Sequence, residues 1–330
     1  MILNNKKIAV IGYGSWATAL VYVLVKNRIE IWWHVKNDDI RKSLLAEGRN
    51  TKYLSDVELD TLLINVSDDI NEVISNSDLV LIAAPSAFLK SLLDDIKIDI
   101  SNKFFLSATK GFIEQQYTVT EYIKLRYNIS YDQLGVISGP SHAEEVSRNK
   151  LSYLTVACKN KKNAILIREM FRNENLKIEY SQDIYGIEYA AILKNIYALA
   201  LGLASGLGYG DNFRAVLASA CARELTLFIN ESFPFDRDTM KSAYLGDLLV
   251  TAYSNFSRNR RLGQLIGHGC TVKSALNEMT MIAEGYYAAA GINIVNKNYR
   301  IKMPIAEMVY DILYNRANPR KKMQELGELL

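Results

Sequence analysis

A lysine stands inside the most apolar helical pattern of the sequence. Lys194 lies between the run Ala190–Leu193 and Asn195. Burying an ammonium group costs free energy unless a partner stabilises its charge or its pKa falls. Lysines in such positions often transfer protons. We therefore predict that Lys194 is a proton donor or acceptor, the alternative being a lysine paired with a structural carboxylate. Asp247, within a nearly charge-free stretch, is a plausible partner.

A second group of polar residues suits an anion. Ser257, Arg258 and Asn259 offer a hydroxyl, a guanidinium and an amide in succession. These donors fit a phosphate group. The arginines that follow, Arg260 and Arg261, are expected to form a solvated basic face.

A glycine-rich turn follows the first predicted strand. Gly12, Gly14 and Ala17 form the pattern G-x-G-x-x-A, which opens a predicted helix at Thr18–Lys26. The first glycine permits the tight turn, the second lets the backbone approach a pyrophosphate, and the alanine allows close packing of helix on strand. The pattern predicts a dinucleotide site, and a glycine turn without a ligand is the alternative.

The end of the second predicted strand bears on the choice of dinucleotide. An NAD site usually has a carboxylate there, about 20 residues after the first glycine, but this chain has His34 and Lys36, followed by Arg41. Those cationic groups would tolerate a 2′-phosphate, so NADP(H) is allowed and has a reason to be preferred. Asp38 and Asp39 lie close by, and a solvated helix start explains Lys36 to Arg41 equally well.

Other predicted strands are also followed by polar residues. Ligands bind beyond the carboxyl ends of strands in doubly wound sheets, so Lys110 is a candidate to face the nicotinamide and an anionic substrate, the alternative being a surface lysine. Gly139, Ser141 and Ala143 are candidates for backbone and hydroxyl contacts. His142 lies in the same turn and is expected to be structural or solvated.

The elements that position these residues divide the chain into two halves. Short β-rich runs alternate with helical patterns up to about Gln182, and helical periodicity dominates afterwards. This order predicts an α/β, Rossmann-type doubly wound parallel sheet at residues 1–182 and an all-α domain at 183–330. The predicted strands are Lys7–Ile11, Ile29–Trp33, Leu79–Ala84, Phe104–Ser107, Gly135–Ser138 and Leu154–Ala157. The predicted helices of the second half are Ile184–Leu207, Phe213–Asn230, Leu245–Tyr253, Thr271–Ala290, Pro304–Tyr314 and a terminal helix in Asn318–Leu330.

Composition narrows the class of protein. The 330 residues are 49% hydrophobic and 23% charged, with a mean hydropathy of −0.03, values typical of a soluble globular chain. A net charge of +3 is too small for a nucleic-acid footprint. Three distant cysteines suggest neither a disulfide framework nor a zinc site, and no export signal is visible. We expect a cytoplasmic protein with no metal and no membrane span, the apolar run at 187–207 being a buried helix.

Taken together, these motifs resemble those of the bacterial NAD(P)-dependent sn-glycerol-3-phosphate dehydrogenases. The resemblance covers almost the whole chain. It rests on GYGSWATAL at Gly12–Leu20, TKG at Thr109–Gly111, SGPSHAEEV at Ser138–Val146, LKN at Leu193–Asn195, GDLLVT at Gly246–Thr251 and SRNRRLG at Ser257–Gly263. It implies a Rossmann-type domain followed by a helical domain, usually in a homodimer. The implied reaction is reversible reduction of dihydroxyacetone phosphate to sn-glycerol 3-phosphate for phospholipid synthesis.

The resemblance also implies site residues. The implied cofactor contacts are Ser15, Trp16, His34, Lys110, Ala143, Arg258, Ile282 and Glu284. The implied substrate contacts are Lys110, Gly139, Ser141, Lys194, Asp247, Ser257, Arg258 and Asn259. Lys194 is the implied proton acceptor in oxidation, with Asp247 orienting it and Lys110 adding positive potential.

Two positions depart from the family pattern. Ala17 replaces a usual glycine, which the fingerprint tolerates, and Tyr244 replaces a smaller residue and could narrow the approach to the substrate. Two other functions are considered: a dehydrogenase for a different hydroxy acid or ketone, and a catalytically silent NAD(P)-binding regulator. The phosphate donors at 257–259 argue against the first, and the retention of Lys110, Lys194 and Asp247 argues against the second.

Overall fold

The computed structural model describes residues 7–279 and 281–330. Residues 1–6, part of the N-terminal segment judged to lack an export signal, and Thr280, inside the predicted helix Thr271–Ala290, lie outside the described residues. The chain forms two compact units. The sheet unit comprises the described residues up to Thr109 together with Val119–Ile184, and the helical unit comprises Lys110–Thr118 and Tyr185–Leu330.

A mostly parallel sheet forms the centre of the sheet unit. Within the described residues it has eight strands in the order β3-β2-β1-β4-β5-β6-β7-β8. The strands are β1 Ile8–Ile11, β2 Ile31–His34, β3 Ile64–Ser67, β4 Leu79–Ile82, β5 Phe104–Ser107, β6 Leu134–Ser138, β7 Ser152–Cys158 and β8 Leu176–Ser181. Strand β7 pairs antiparallel with β6, and β8 pairs parallel with β7. The predicted Rossmann-type fold is confirmed, but its last two strands run against the other six.

The two strands that the sequence did not predict, β3 and β8, lie at the edges of this sheet. Each has a single strand neighbour, and each mixes exposed and buried residues. The central strands β1, β4 and β5 are buried along their whole length. Continuous apolar runs therefore identify central parallel strands, whereas half-exposed edge strands carry no such run.

Helices connect these strands. In the sheet unit they are α1 Ser15–Lys26, α2 Asp38–Glu47, α3 Ile70–Ser75, α4 Ser86–Asp94, α5 Val119–Tyr127, α6 Ala143–Ser147 and α7 Lys161–Phe171. The first helix begins at Ser15, three residues before the predicted Thr18, because helical geometry starts directly after Gly14. Its inner face packs into the core that includes Leu20, Leu24 and Trp33.

The helical unit contains the remaining helices of the described chain. They are α8 Ile184–Gly206, α9 Asp211–Ser232, α10 Asp247–Tyr253, α11 Arg258–Gly267, α12 Val272–Glu278, α13 Glu284–Tyr299, α14 Pro304–Tyr314 and α15 Pro319–Gly327. By length and composition α8 could cross a membrane, but its apolar stretch is buried inside the protein. The expectation of a buried core helix at this place is therefore confirmed.

Two predicted helix boundaries in this unit are wrong. The predicted helix Thr271–Ala290 is two helices, since α12 ends at Glu278 and α13 begins at Glu284. The predicted helix Leu245–Tyr253 begins at Asp247, after a π-helical turn at Ser242–Gly246. The apolar periodicity of the sequence continues through the gap between α12 and α13 and through the π-helical turn. It therefore gives no sign that the backbone geometry changes there.

Helices α8 and α11 cross at very short range through glycines. A Cβ atom on Gly202 would lie 2.1 Å from the Arg260 carbonyl oxygen, and one on Gly263 would lie 2.2 Å from the Leu199 carbonyl oxygen. Gly206 and Gly267, four residues further along each helix, face the partner backbone in the same way. Backbone therefore packs directly on backbone. This contact fixes α11 along most of its length against the C-terminal part of α8.

Candidate active site

The predicted glycine turn lies between β1 and α1. Gly12 has φ +114°, and a Cβ atom there would lie 2.7 Å from the backbone of Ala83 and Ala84, so only glycine fits. Trp33 Nε1 donates to the Gly12 carbonyl at 2.7 Å, which ties the turn to β2. Gly14 is different, because the space around its would-be Cβ is open within 4 Å. A ligand can therefore approach the backbone at Gly14.

The start of α1 next to this turn suits an anion. Gly14 is the N-cap, no side chain of the described residues caps the helix, and its first turn contains no acidic residue. The N–H groups of a first turn, together with the helix dipole, attract phosphate. The indole Nε1 of Trp16 is buried without a hydrogen-bond partner among the described residues. An open glycine, a helix start free of acidic residues and a spare donor fit a dinucleotide pyrophosphate.

The predicted proton-transfer residue is part of a buried charge cluster in the helical unit. Lys194 Nζ forms an ion pair with one carboxylate oxygen of Asp247, and Lys110 Nζ lies 3.2 Å from the other. The side chain of Asp247 is 1% exposed, that of Lys194 6% and that of Lys110 18%. One carboxylate thus joins two ammonium groups, and the cluster carries one net positive charge when both lysines are protonated.

Burial lowers the pKa of Lys194 to about 7. The Asp247 carboxylate opposes this change by stabilising the ammonium, whereas the Lys110 ammonium adds to it. A lysine with a pKa near 7 can both donate and accept a proton at neutral pH. Because Lys194 lies among buried residues of α8, Asp247 and Lys110 are the charged groups that set its pKa.

Asn195, the neighbour of Lys194, is a residue whose importance sequence reasoning missed. Its Nδ2 donates to the Lys110 carbonyl at 3.0 Å, and its Oδ1 accepts from Asn259 Nδ2 at 2.8 Å. Asn259 Oδ1 in turn accepts from the Gly285 amide at 2.8 Å. This chain of hydrogen bonds holds Lys110, α8, α11 and α13 together. Asn195 was part of the motif Leu193–Asn195, but its hydrogen-bond partners Lys110 and Asn259 are distant in sequence, so the motif did not reveal this role.

The phosphate-site candidates occupy the start of α11. Ser257 is the N-cap and its side chain accepts from the Arg260 amide, Arg258 is the first helical residue, and Asn259 is buried in the network just described. Arg258 Nη1 donates to the Ile282 carbonyl at 3.2 Å. Glu284, another predicted contact, begins α13. The structure therefore brings Arg258 against Ile282, next to the start of α13.

The remaining candidates lie in the sheet unit, after β6. Gly139 has φ +148°, and a Cβ atom there would lie 2.6 Å from the Tyr153 carbonyl oxygen. Ser141 Oγ donates to the Gly139 carbonyl at 2.9 Å, and Ala143 begins α6. Tyr244, the bulky departure from the family pattern, lies in the π-helical turn and is 4% exposed. In the described part of the chain no group of three or more His, Cys, Asp or Glu side chains could hold a metal ion.

Comparison with known proteins gives a consistent result. Residues 7–164 match the model of the NAD-dependent glycerol-3-phosphate dehydrogenase N-terminus, and residues 183–324 match that of the C-terminus. The chain is 34% identical over 325 residues to a glycerol-3-phosphate dehydrogenase [NAD(P)+] from Fusobacterium nucleatum (97% of this chain, 96% of that one). It is 36% identical over 321 residues to the enzyme of that name from Staphylococcus haemolyticus (96% and 95%). A crystal structure of glycerol-3-phosphate dehydrogenase from Coxiella burnetii superimposes with a TM-score of 0.89 at 27% identity (98% and 99%).

Proposed function

The chain belongs to the NAD-dependent glycerol-3-phosphate dehydrogenase family, and we propose that it reversibly reduces dihydroxyacetone phosphate to sn-glycerol 3-phosphate. A bound nicotinamide dinucleotide would supply or accept the hydride. The observation that carries the proposal is the buried cluster of Lys194, Asp247 and Lys110, within the same unit as donors suited to phosphate. We assign most cofactor contacts to residues 1–182 and most substrate contacts to residues 183–330.

In this proposal Lys194 handles the proton. During reduction its ammonium donates a hydrogen bond to the C2 carbonyl oxygen and then transfers a proton to the alkoxide that develops there. During oxidation the neutral amine takes the proton from the C2 hydroxyl. Asp247 holds the Lys194 side chain in place through their ion pair. Lys110 adds positive potential where negative charge develops, a preorganised electrostatic contribution.

The phosphate of the substrate would bind at the start of α11. Arg258 and Asn259 supply guanidinium and amide donors, and the ten-residue helix contributes the positive end of its dipole. Ser257 already caps this helix, and it adds a hydroxyl beside the same site. Gly139 and Ser141 are assigned to the substrate as well. Holding the phosphate in this way positions the carbonyl for reaction.

The cofactor would be held mainly by the glycine turn. Gly12, Gly14 and Ala17 shape the turn, and Ser15 with Trp16 begins the helix that faces the pyrophosphate. The other assigned contacts are His34, Lys110, Ala143, Arg258, Ile282 and Glu284. No metal is part of the proposed reaction. In the cell we propose a cytoplasmic homodimer whose product enters glycerophospholipid synthesis, on the basis of the family resemblance.

The test is the initial rate of NADH and NADPH oxidation by the purified protein with dihydroxyacetone phosphate. Dihydroxyacetone is the phosphate-free control, and we expect turnover that depends on the phosphate. Lys194→Met should reduce turnover by about 10²–10⁴-fold, the usual contribution of a positioned proton-transfer group. A protein that binds cofactor but gives no turnover with triose phosphate would instead be the silent regulator.

A second buried lysine provides the matched control. Lys103 is 8% exposed, and its Nζ donates to the Ser77 carbonyl at 2.6 Å. It has a structural role, so Lys103→Met should keep the turnover number of the folded enzyme. Near-normal turnover in Lys194→Met, with circular dichroism showing both variants folded, would contradict the proton-transfer assignment.

A further inference from the structure

The position that usually selects the ribose of a dinucleotide is occupied here by a histidine. His34 is the last residue of β2 and pairs in register with Ile11, the residue before the glycine turn. Adjacent strands lie about 4.8 Å apart, so His34 lies directly beside that turn. In NAD-binding sheets this place holds a carboxylate that accepts a hydrogen bond from the ribose 2′-hydroxyl. The hydrogen-bonding groups of His34 therefore affect whether a hydroxyl or a phosphate can bind at the 2′ position of the ribose.

The protonation of His34 follows from its contacts. Nε2 lies 3.1 Å from the Asp68 backbone carbonyl, which can only accept, so Nε2 carries the hydrogen. The residue is 3% exposed, and burial lowers its pKa below the ordinary value of 6.5. The neutral ring then has an unprotonated Nδ1. Nδ1 is buried and has no hydrogen-bond partner within residues 7–279 and 281–330. His34 can accept a hydrogen bond but has no hydrogen left for a phosphate.

His34 is one of the residues that line a cavity of about 370 Å³ with an acidic wall. The charged residues around it are Asp68, Asp69, Asp95 and Lys36. The lining therefore contains three acidic residues and one basic residue. The wall carries net negative charge. The sequence had suggested affinity for a 2′-phosphate at this place, because His34 and Lys36 stand at the end of the second strand.

The cations near this wall are already paired with its carboxylates. Lys36 Nζ lies 3.5 Å from Asp95. Arg41, beyond the cavity lining, forms ion pairs with Asp68 at 2.9 Å and with Asp38, and donates to the Val35 carbonyl. A phosphate monoester carries about −1.5 to −2 charges at pH 7. A 2′-phosphate bound here would compete with Asp68 and Asp95 for Lys36 and Arg41, and it would lie close to both carboxylates.

We propose that this wall makes the enzyme selective for NAD(H) over NADP(H), with His34 Nδ1 accepting the ribose 2′-hydroxyl and the aspartates repelling a 2′-phosphate. The inference rests on the proposed function, since it concerns the cofactor of that reaction. It assigns a specificity role to Asp68 and Asp95, which neither the glycine pattern nor the resemblance indicated.

Equilibrium binding tests the proposal without turnover. Isothermal titration of the purified full-length protein with NADH and with NADPH, at low salt and without triose phosphate, should give a Kd at least tenfold lower for NADH. Added NaCl should reduce this ratio, because salt screens repulsion between partly exposed charges. Equal or tighter binding of NADPH would overturn the selectivity and leave the dehydrogenase assignment intact. Binding of neither would overturn both.

Two variants test the roles of individual groups. The double variant Asp68→Asn, Asp95→Asn keeps the Asp68 carbonyl for His34 and should tighten NADPH binding at least fivefold, with NADH within twofold. The matched control replaces two exposed ion-paired aspartates of the same unit, Asp56 and Asp132, by Asn, and should change neither Kd. An unchanged ratio in the first double variant would overturn the repulsion.

The histidine is tested with NADH that lacks the 2′-hydroxyl on its adenosine ribose. The wild-type protein should bind this analogue at least fivefold more weakly than NADH. His34→Ala should bind the two equally, because the acceptor is gone. Persistent discrimination in His34→Ala would overturn the role assigned to Nδ1.

Discussion

Asp247 and Lys110 should shift the pH dependence of the reaction in opposite directions. The Asp247 carboxylate raises the pKa of Lys194 and the Lys110 ammonium lowers it. Asp247→Asn removes the raising influence and Lys110→Met removes the lowering one. A reaction that needs the Lys194 ammonium therefore loses its activity at lower pH in the first variant and at higher pH in the second.

The magnitudes follow from the geometry. A Lys194 pKa of about 7 makes the ammonium fraction fall about ninetyfold between pH 6 and pH 9. An opposite charge in direct contact shifts a pKa by about one to three units, so Asp247→Asn should lower the midpoint by at least one unit. The charge of Lys110 has a smaller effect on the pKa of Lys194 than that of Asp247, and Lys110→Met should raise the midpoint by about one unit.

The assay is kcat/KM for dihydroxyacetone phosphate between pH 5.5 and 10 at saturating NADH and constant ionic strength. The phosphate of the substrate titrates near pH 6, but it does so equally for every variant and cancels in the comparison. In the oxidation direction the profile should be reversed, with kcat/KM for glycerol 3-phosphate rising through the same pH. Shifts of both variants in one direction, or no shift in either, would refute the assignment of the titration to Lys194.

Two further predictions concern stability. A Cβ atom on Gly263 would lie 2.2 Å from the Leu199 carbonyl, so Gly263→Ala should cost about 1–3 kcal/mol and lower Tm. Gly327→Ala in α15, whose Cβ would meet only an ordinary contact at 3.6 Å, is the control and should leave Tm unchanged or slightly higher. Burial raises the pKa of Glu224 from 4.5 to about 7. Since the folded state binds the proton more tightly, the stability that this group contributes is lost as pH rises between those values, by about 3 kcal/mol in total. Glu224→Gln should remove that slope from the pH dependence of Tm, and an identical slope in the variant would show that other groups produce it.

The glycine turn shows what local sequence can predict. The pattern of Gly12 and Gly14 between a strand and a helix is visible within a few residues, although the contact that excludes a side chain at Gly12 comes from Ala83 and Ala84, about 70 residues further along the chain. Central strands are predictable for a similar reason, because burial on both faces demands a continuous apolar run. The edge strands β3 and β8 cannot be predicted in this way. Their pairing is decided by one neighbouring strand, and their exposed residues dilute the pattern.

The interruption between α12 and α13 shows a second kind of failure. Apolar residues continue across it, and periodicity therefore predicted one helix at Thr271–Ala290. The structure ends the first helix at Glu278, and the amide of Gly285 at the start of the second bonds to Asn259. That partner lies 26 residues away. A contact across such a distance in sequence leaves no periodic signal.

The sequence by itself determined the kinds of chemistry available: a lysine in an apolar helix, a glycine turn after a strand, and phosphate donors in succession. Residue type and short-range spacing carry that information, because they set burial, backbone freedom and hydrogen-bonding capacity. Only the tertiary structure decided which charged groups lie next to one another. It placed Asp247 between Lys110 and Lys194, and it set three aspartates around His34 at a place that had suggested affinity for a 2′-phosphate. Electrostatic interactions depend on distance in space, and the groups concerned are up to 137 residues apart along the chain.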